Sequence, residues 1–350
     1  MVFRRHVSKL ICGLLLTIVW VATTAAFAQD CTTCLTSRLP LESLPPSSSS
    51  HGFVDSNTVL LAPAGAADPW TIRKRVDEVT VFFTATKGHK YVDDLTEQDV
   101  MVKDDNKPVT KIAAFGHQSD LPLRLGLLVD TSNSVHYRFS FEQEASTRFL
   151  QKIVRQETDL AFVMGFSDHV VLSQDYTGDA ERLAHGVSAL HSDGATSLFD
   201  AVRIACWKLA NGNESQAAAR ILVILSDGED NSSKSTPEEA IAYAQREEVT
   251  IYTISTNNSS YLRPGDKILK NLALQSGGQM FAPSGPKEMV RAFSAIEEEM
   301  RSRYALAYQP SDFVADGRFR RIEIIAQRLR KKFHVHARKG YYAPVAASSE

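Results

Sequence analysis

Two apolar runs constrain this chain more than any other feature. Leu123–Val129 (LRLGLLV) ends in Asp130, and Ile221–Leu225 (ILVIL) ends in Ser226-Asp227. Such runs show no in–out alternation, which marks strands covered on both faces, as in a parallel sheet with helices above and below. The stretches between them have helical spacing. Phe141, Ala145, Phe149 and Ile153 share one helix face. Further helices are predicted at about 179–190 and 197–210, and over Pro237–Glu248, with Thr236 as N-cap and Pro237 at the first helical position. Two more follow at 266–275, stopped by Gly277-Gly278, and at Pro286–Arg303. Leu160–Phe166, Val170–Leu172, Val249–Ile254 and Gln279–Ala282 are strand candidates. The alternation predicts an α/β domain with a doubly wound, mostly parallel sheet over residues 121–303.

The flanks follow a different pattern. Val76–Thr86, Asp99–Lys103 and Val109–Phe115 are rich in β-formers, and Lys87–Lys90 and Asp104–Lys107 separate them as turns. Three such strands cannot close a core alone. Tyr304–Tyr308, Phe319–Ala326 and Phe333–Ala337 return to strand patterning after the α/β block. The two groups are natural partners. Residues 70–118 and 304–344 are therefore expected to be the two halves of a small β-sandwich with the α/β domain inserted between them. Residues 345–350 are a tail.

The N-terminus carries an address. Arg4, Arg5 and Lys9 precede an uncharged run from Leu10 to Ala26, and Ala26-Phe27-Ala28 offers a small–x–small cleavage pattern. Residues 1–28 thus form a signal peptide with cleavage after Ala28, which places the mature chain in the periplasm or outside the cell. An uncleaved anchor is the alternative, since the run is just long enough to span a bilayer. The whole chain has 39 basic and 41 acidic residues, and loss of the leader leaves 36 basic, a net −5. Nucleic-acid binders ordinarily need a basic face, so that class of partner is excluded, as is a membrane span after cleavage. Residues 29–69, with Pro40, Pro45, Pro46 and Ser47–Ser50, read as a disordered linker. Cys31 and Cys34 within it suit a small local disulfide in an oxidising compartment. Cys206 falls on an apolar helix face and reads as an inert core thiol.

Three segments carry chemistry. They are Asp130-Thr131-Ser132-Asn133-Ser134, Asp193-Gly194-Ala195-Thr196-Ser197 and Ser226-Asp227-Gly228-Glu229-Asp230. Each follows a strand or opens a helix, and so falls at the carboxyl edge where open α/β sheets bind ligands. They offer carboxylate and hydroxyl oxygens with no imidazole or thiolate, a donor set that selects a hard cation. Ser132, Ser134 and Thr196 can ligate directly, and Asp130 and Asp227 can ligate or hold water. Mg²⁺ is the expected ion, with Ca²⁺ or Mn²⁺ as alternatives. The site is poor in negative charge, so a carboxylate from a partner would complete the shell. Asp, Ser and Gly are also ordinary turn and cap residues, which weakens each segment alone but not all three together.

The order Asp-x-Ser-x-Ser, later Thr, later Asp-Gly resembles the metal-ion-dependent adhesion site of the von Willebrand factor type A family. That resemblance implies Asp130, Ser132, Ser134, Thr196 and Asp227 as the metal-site residues. The flanking segments VDEVTVFFTATKGHKYVDD and YALAYQPSDFVADGRFRRIEII are similar to the VWFA-related acidobacterial domain family. That extends the likeness to about residues 70–344.

The expected function is a non-enzymatic adhesion or scaffold module that captures an Asp or Glu of another protein. The alternative is a hydrolase using the same metal as a Lewis acid. A hydrolase needs a general base near the metal, and the nearest imidazoles are His136 and His191, outside the three segments. A phosphate-binding domain is discounted because the first segment lacks a glycine-rich turn. Glu229 and Asp230 read as solvated loop acids and Asp168-His169 as a turn. His334 and His336 alternate on one strand but lack a third ligand.

Overall fold

The chain divides into two units, Met1–Leu35 and Thr36–Glu350. The computed structural model describes residues 37–39, 78–88, 90–133, 139–192, 194–212, 218–257 and 261–345, all in the second unit. The expected leader at 1–28, the Cys31/Cys34 pair and the tail beyond 345 lie outside the described residues.

In chain order the strands are β1 (Ser37–Leu39), β2 (Val79–Lys87), β3 (Lys90–Tyr91), β4 (Val100–Asp104), β5 (Lys107–Pro108), β6 (Ile112–His117) and β7 (Leu123–Asp130). Then come α1 (Phe139–Ile153), β8 (Leu160–Phe166), β9 (Val170–Thr177), α2 (Ala180–Ser188), α3 (Leu198–Ala210) and β10 (Ala219–Ser226). They are followed by α4 (Pro237–Arg246), β11 (Thr250–Ser255), α5 (Pro264–Ser276), β12 (Met280–Phe281) and α6 (Pro286–Arg301). The chain closes with β13 (Tyr304–Tyr308), β14 (Phe319–Arg328), β15 (Lys331–Lys332), β16 (His334–Ala337) and β17 (Gly340–Tyr342).

The largest sheet has the order β1-β9-β8-β7-β10-β11-β12. From β8 to β12 every pair is parallel, whereas β9 runs antiparallel to β8 and β1 antiparallel to β9. Side chains of the central strands alternate between two cores. Leu125, Leu127, Val129, Ile221, Val223 and Leu225 pack with residues of α1, α2 and α6. Leu128, Leu222 and Ile224 pack with residues of α3, α4 and α5. Both faces are dry, which is why neither run alternates in sequence. Cys206 is fully buried in the second core, and burial pushes its thiol pKa up, as suits an inert thiol.

β1 corrects the expectation that residues 29–69 hold no regular element. Ser37, Arg38 and Leu39 pair with Leu172, Val171 and Val170. The free edge of β9 offers unpaired backbone groups that a short segment can satisfy, and Pro40 immediately follows. β9 also runs five residues past the predicted end at Leu172. Its central positions are partly buried or, at Asp175, exposed, so the polar side chains Ser173, Gln174 and Asp175 do not break it.

The flanking strands build two further sheets, ordered β16-β2-β13-β6 and β15-β14-β4-β5, with β3 beside β2 and β17 beside β14. Strands from before and after the α/β block interleave in both. β13 lies between β2 and β6, and β14 pairs with β4. The two sheets share one apolar cluster that includes Val81, Phe83, Val102, Leu306, Ile322 and Ile324. Asp104, itself buried, accepts the hydroxyls of Tyr308 (2.8 Å) and Tyr341 (2.9 Å).

The two-sheet unit joins the α/β block at the base of its sheet. Phe82, on the opposite face of β2 from Val81 and Phe83, packs into the first core of the α/β block. The buried Arg303 guanidinium donates to the Gly277 carbonyl (3.0 Å), Arg338 donates to Gln245 O (3.5 Å), and the His336 ring meets Gly278 O at 2.8 Å. His336 therefore serves this joint, and His334 is exposed.

Candidate metal site at the carboxyl edge of the sheet

β7 and β10 are adjacent and parallel, with Val129 opposite Leu225. The register puts the next residues, Asp130 and Ser226, side by side at the carboxyl edge. Asp130 is fully buried. Its Oδ1 accepts the Ser132 backbone N–H (2.9 Å), and its Oδ2 accepts the Ser226 hydroxyl (2.6 Å). Ser226 Oγ in turn accepts the Gly228 N–H at 3.0 Å. Ser226 thus ties the first predicted segment to the third, a role the sequence did not single out.

The second segment is pinned to both. Asn133 N–H donates to Gly194 O (3.3 Å), linking the first and second segments. Thr196 N–H donates to Asn231 Oδ1 (2.9 Å), while Asn231 and Ser232 N–H both donate to Thr196 O (3.0 Å each). Ser197 fixes the start of α3 by donating its backbone N–H and its hydroxyl to Ser167 O. The Ser167–His169 turn is therefore built into the same edge, and Asp168 pairs there with His169. Asp227 is 9% exposed, and its Oδ1 accepts the Glu229 N–H.

Asp230 corrects an expectation. It is not a solvated loop acid: it accepts from Phe199 N (3.1 Å), Ser233 Oγ (2.6 Å) and Ser233 N (3.1 Å). A turn acid can cap a helix that starts thirty residues earlier, and no local pattern reports it. Glu229 is exposed, as expected.

Among the described residues the structure brings Asp130, Ser132, Thr196 and Asp227 to one edge. Ser134 and Asp193 lie outside them. The donor set fits a hard cation. Asp130, Ser132, Thr196 and Asp227 present only oxygen and are almost wholly shielded from bulk water. Burial drives the Asp130 carboxyl up to about 6, Asp227 adds to the rise, and the Ser132 and Ser226 bonds oppose it. Among the described residues this buried carboxylate is served by neutral donors alone, without the positive charge that ordinarily compensates it. A divalent cation supplies that charge. Of the two nearest imidazoles in sequence, His136 lies outside the described residues and His191 turns its Nδ1 to the Ala189 carbonyl at 2.8 Å.

The third segment also needs a close approach of backbones. Gly228 has φ +78°, and a Cβ there would lie 2.2 Å from Gly265 O. A Cβ on Gly265 would lie 2.1 Å from Asp227 O. The N-terminus of α5 is thus pressed against the loop that carries Asp227. Asn257 adds a bond from its Nδ2 to Asp227 O, 2.9 Å.

A family model of the von Willebrand factor type A domain matches residues 125–295. A search of curated proteins finds no match. Among solved structures, the PilB minor pilin from Streptococcus sanguinis is 14% identical, with a TM-score of 0.42 over 56% of this chain and 63% of the pilin. A von Willebrand factor type A protein from Catenulispora acidiphila is 12% identical, with a TM-score of 0.44 over 78% of this chain and 74% of the other. Proximal thread matrix protein 1 from the mussel byssus, with a zinc-occupied MIDAS motif, is 15% identical, with a TM-score of 0.44 over 55% of this chain and 48% of that protein. The chain spans less than two thirds of the pilin and of the byssus protein. It contains a von Willebrand factor type A domain. Domains of this family bind a divalent metal at the adhesion site and mediate protein–protein contacts, generally without enzymatic activity. Among the described residues, no helix is long and apolar enough to cross a membrane.

Proposed function

We propose that this protein is an exported, non-enzymatic adhesion or scaffold module, and that Asp130, Ser132, Ser134, Thr196 and Asp227 hold a divalent cation, Mg²⁺ first, that captures an Asp or Glu carboxylate of a partner protein. The observation that carries the reading is Asp130, a fully buried carboxylate whose bonds come from a backbone N–H and a serine hydroxyl. When bound, the cation supplies a Lewis-acid position for a carboxylate oxygen. The chain's own residues do the rest. Ser226 orients Asp130, Asn231 holds the Thr196 loop, and α5 fixes the Asp227 turn. Ser134 stands on the sequence motif alone. The same reading takes residues 121–303 as a doubly wound domain inserted in a β-sandwich of residues 70–118 and 304–344. Export rests on the leader at 1–28. A hydrolase gains no support, since no imidazole, thiol or amine of a described residue bonds to these side chains.

The test is affinity capture from native envelope and medium, with calorimetric titration of Mg²⁺ into wild type and Thr196→Ala. Capture should vanish in EDTA and return with Mg²⁺, and Thr196→Ala should bind metal at least tenfold more weakly, as loss of a coordinating or supporting group does. Capture that survives EDTA and collapses in moderate salt would mean a diffuse charge contact and overturn the proposal.

A further inference from the structure

One hairpin of the two-sheet unit departs from ordinary turn chemistry. β14 and β15 are joined by Leu329-Arg330, with Arg328 opposite Lys331. Both connecting residues have positive φ, 50° and 64°. Two-residue hairpin turns of this kind select Asn, Asp and Gly, because a Cβ is strained there. The neighbouring β4–β5 hairpin follows that preference, with Asp105 and Asn106 at φ 46° and 67°. Leu329 does not, and it packs on nothing: it is 90% exposed. Neither backbone preference nor core packing accounts for it. The hairpin's base is nonetheless fixed. Arg328 binds Asp99 through Nε (3.1 Å) and Nη2 (2.9 Å), and Asp94 Oδ2 through Nη1 (2.8 Å).

Charge collects around this tip. Arg330, Lys331 and Lys332 are exposed. His334 pairs with Thr86, so the chain before it runs past the end of β2 toward the β2–β3 turn. That turn brings Lys87 and Lys90, paired across the hairpin. None of these five cations forms an ion pair with a described residue. Of the acids on the loop after β3, Asp94 and Asp99 are taken up by Arg328, while Asp93 and Glu97 are exposed. Edge-strand protection accounts for lysines on β15, but not for a leucine at the apex.

We propose that this end of the two-sheet unit docks on an anionic lipid bilayer, with Leu329 entering the interfacial layer and Lys87, Lys90, Arg330, Lys331 and Lys332 meeting lipid phosphates. A bilayer fits better than other polyanions. A protruding leucine needs an apolar medium on the far side, and a headgroup layer supplies one without a matching pocket. Single-stranded nucleic acid would call for an exposed aromatic platform, yet Phe333 packs against the inner cluster. This inference uses no residue of the metal site.

The test is flotation of the full chain with vesicles of equal parts phosphatidylcholine and phosphatidylglycerol, against pure phosphatidylcholine, in EDTA. The readout is the change in anionic preference from wild type to each variant, because the leader, which carries its own cations Arg4, Arg5 and Lys9, is common to every variant. Wild type should prefer the anionic vesicles, and salt should weaken the preference. Lys331→Gln and Lys332→Gln should each cost about fivefold in affinity, as expected for a cation at an anionic surface. Leu329→Asn with Arg330→Gly is the decisive variant. It installs the favoured turn, so it should melt higher than wild type while losing most of the anionic preference. A stabilised variant that binds like wild type would overturn the proposal. So would equal binding to both vesicle types, or binding to DNA or polyphosphate but not to vesicles.

Discussion

Gly265→Ala separates helix propensity from site geometry. Gly265 sits in the first turn of α5, where alanine would ordinarily stabilise the helix by up to ~1 kcal/mol. The structure predicts the opposite outcome. A Cβ at 265 would stand 2.1 Å from Asp227 O and 2.9 Å from Gly228 C, both backbone atoms with no side chain to swing aside. Relief to an ordinary contact takes roughly 1.5 Å of movement. α5 is held by Leu269, Leu272 and Ala273 in the core, and by Asp266, which accepts from Ser255 Oγ (2.5 Å), Asn257 Nδ2 (2.9 Å) and Arg263 N (2.7 Å). The Asp227 loop is therefore the part that yields. Overpacking costs about 1–3 kcal/mol, and offset by the propensity gain it leaves a net loss of about 0–2 kcal/mol. That corresponds to a Tm drop of at most ~8 °C in a domain of this size. Metal affinity should fall more sharply, by about 10–100-fold, as it does when groups that orient a ligand are displaced. Thermal melts and Mg²⁺ calorimetry on the same preparation read both. A variant that melts higher and binds Mg²⁺ as wild type would refute the clash and its link to Asp227.

Ser226→Ala should weaken Mg²⁺ binding about tenfold and destabilise the fold by ~1–2 kcal/mol, since it strips a buried carboxylate and the Gly228 N–H of a partner; calorimetry and urea titration check the two effects. Glu299 tests the joint. It is 1% exposed, and burial raises its pKa, although Arg303 and the Tyr252 hydroxyl pull it back. A raised folded pKa gives stability that is full below the unfolded value near 4.5 and is lost as pH rises through the folded value. Wild type should therefore lose stability relative to Glu299→Gln as pH climbs from about 4.5, and a flat difference in urea melts across that range would count against a buried, titrating Glu299. Deletion of 304–350 removes β13 from between β2 and β6. Residues 78–117 should then become protease-sensitive and bind a hydrophobic dye while Mg²⁺ binding persists, and a protease-resistant 78–117 segment would contradict the interleaving.

How far the sequence could be read depends on where each residue's partner lies. The central strands were legible because Leu125–Val129 and Ile221–Leu225 are dry on both faces. The start of α4 was legible because its cap is local: Thr236 Oγ1 accepts from Glu239 N, and Glu239 returns a bond to Thr236 N. β1 was not, since three residues beside prolines gain order only from the edge of β9. Asp130 was legible as a site residue from its motif, but its bond to Ser226 spans 96 positions and follows from strand register. Gly265 gave no signal at all. A glycine early in a helix looks like a weak helix former until the Asp227 backbone is seen against it.

The joint determines whether the two parts of the molecule move independently. A hinge needs a few residues free to absorb a rotation. Here α6 ends at Arg301 and β13 begins at Tyr304, and the two intervening residues are engaged. Ser302 N–H bonds back to α6, and Arg303 is buried, with its carbonyl accepting Gln118 N–H (2.8 Å) and its guanidinium on Gly277 O. On the entry side the chain crosses from β6 to β7 through a short helical turn, Gln118–Asp120. Arg155 pins that crossing by donating to Ser119 O and Leu121 O. No connector is left slack. The carboxyl edge that carries Asp130 and the two-sheet unit are therefore separated by the length of β7, about 23 Å for eight residues, and a partner captured at Asp130, as proposed, would be held at that height above the β unit.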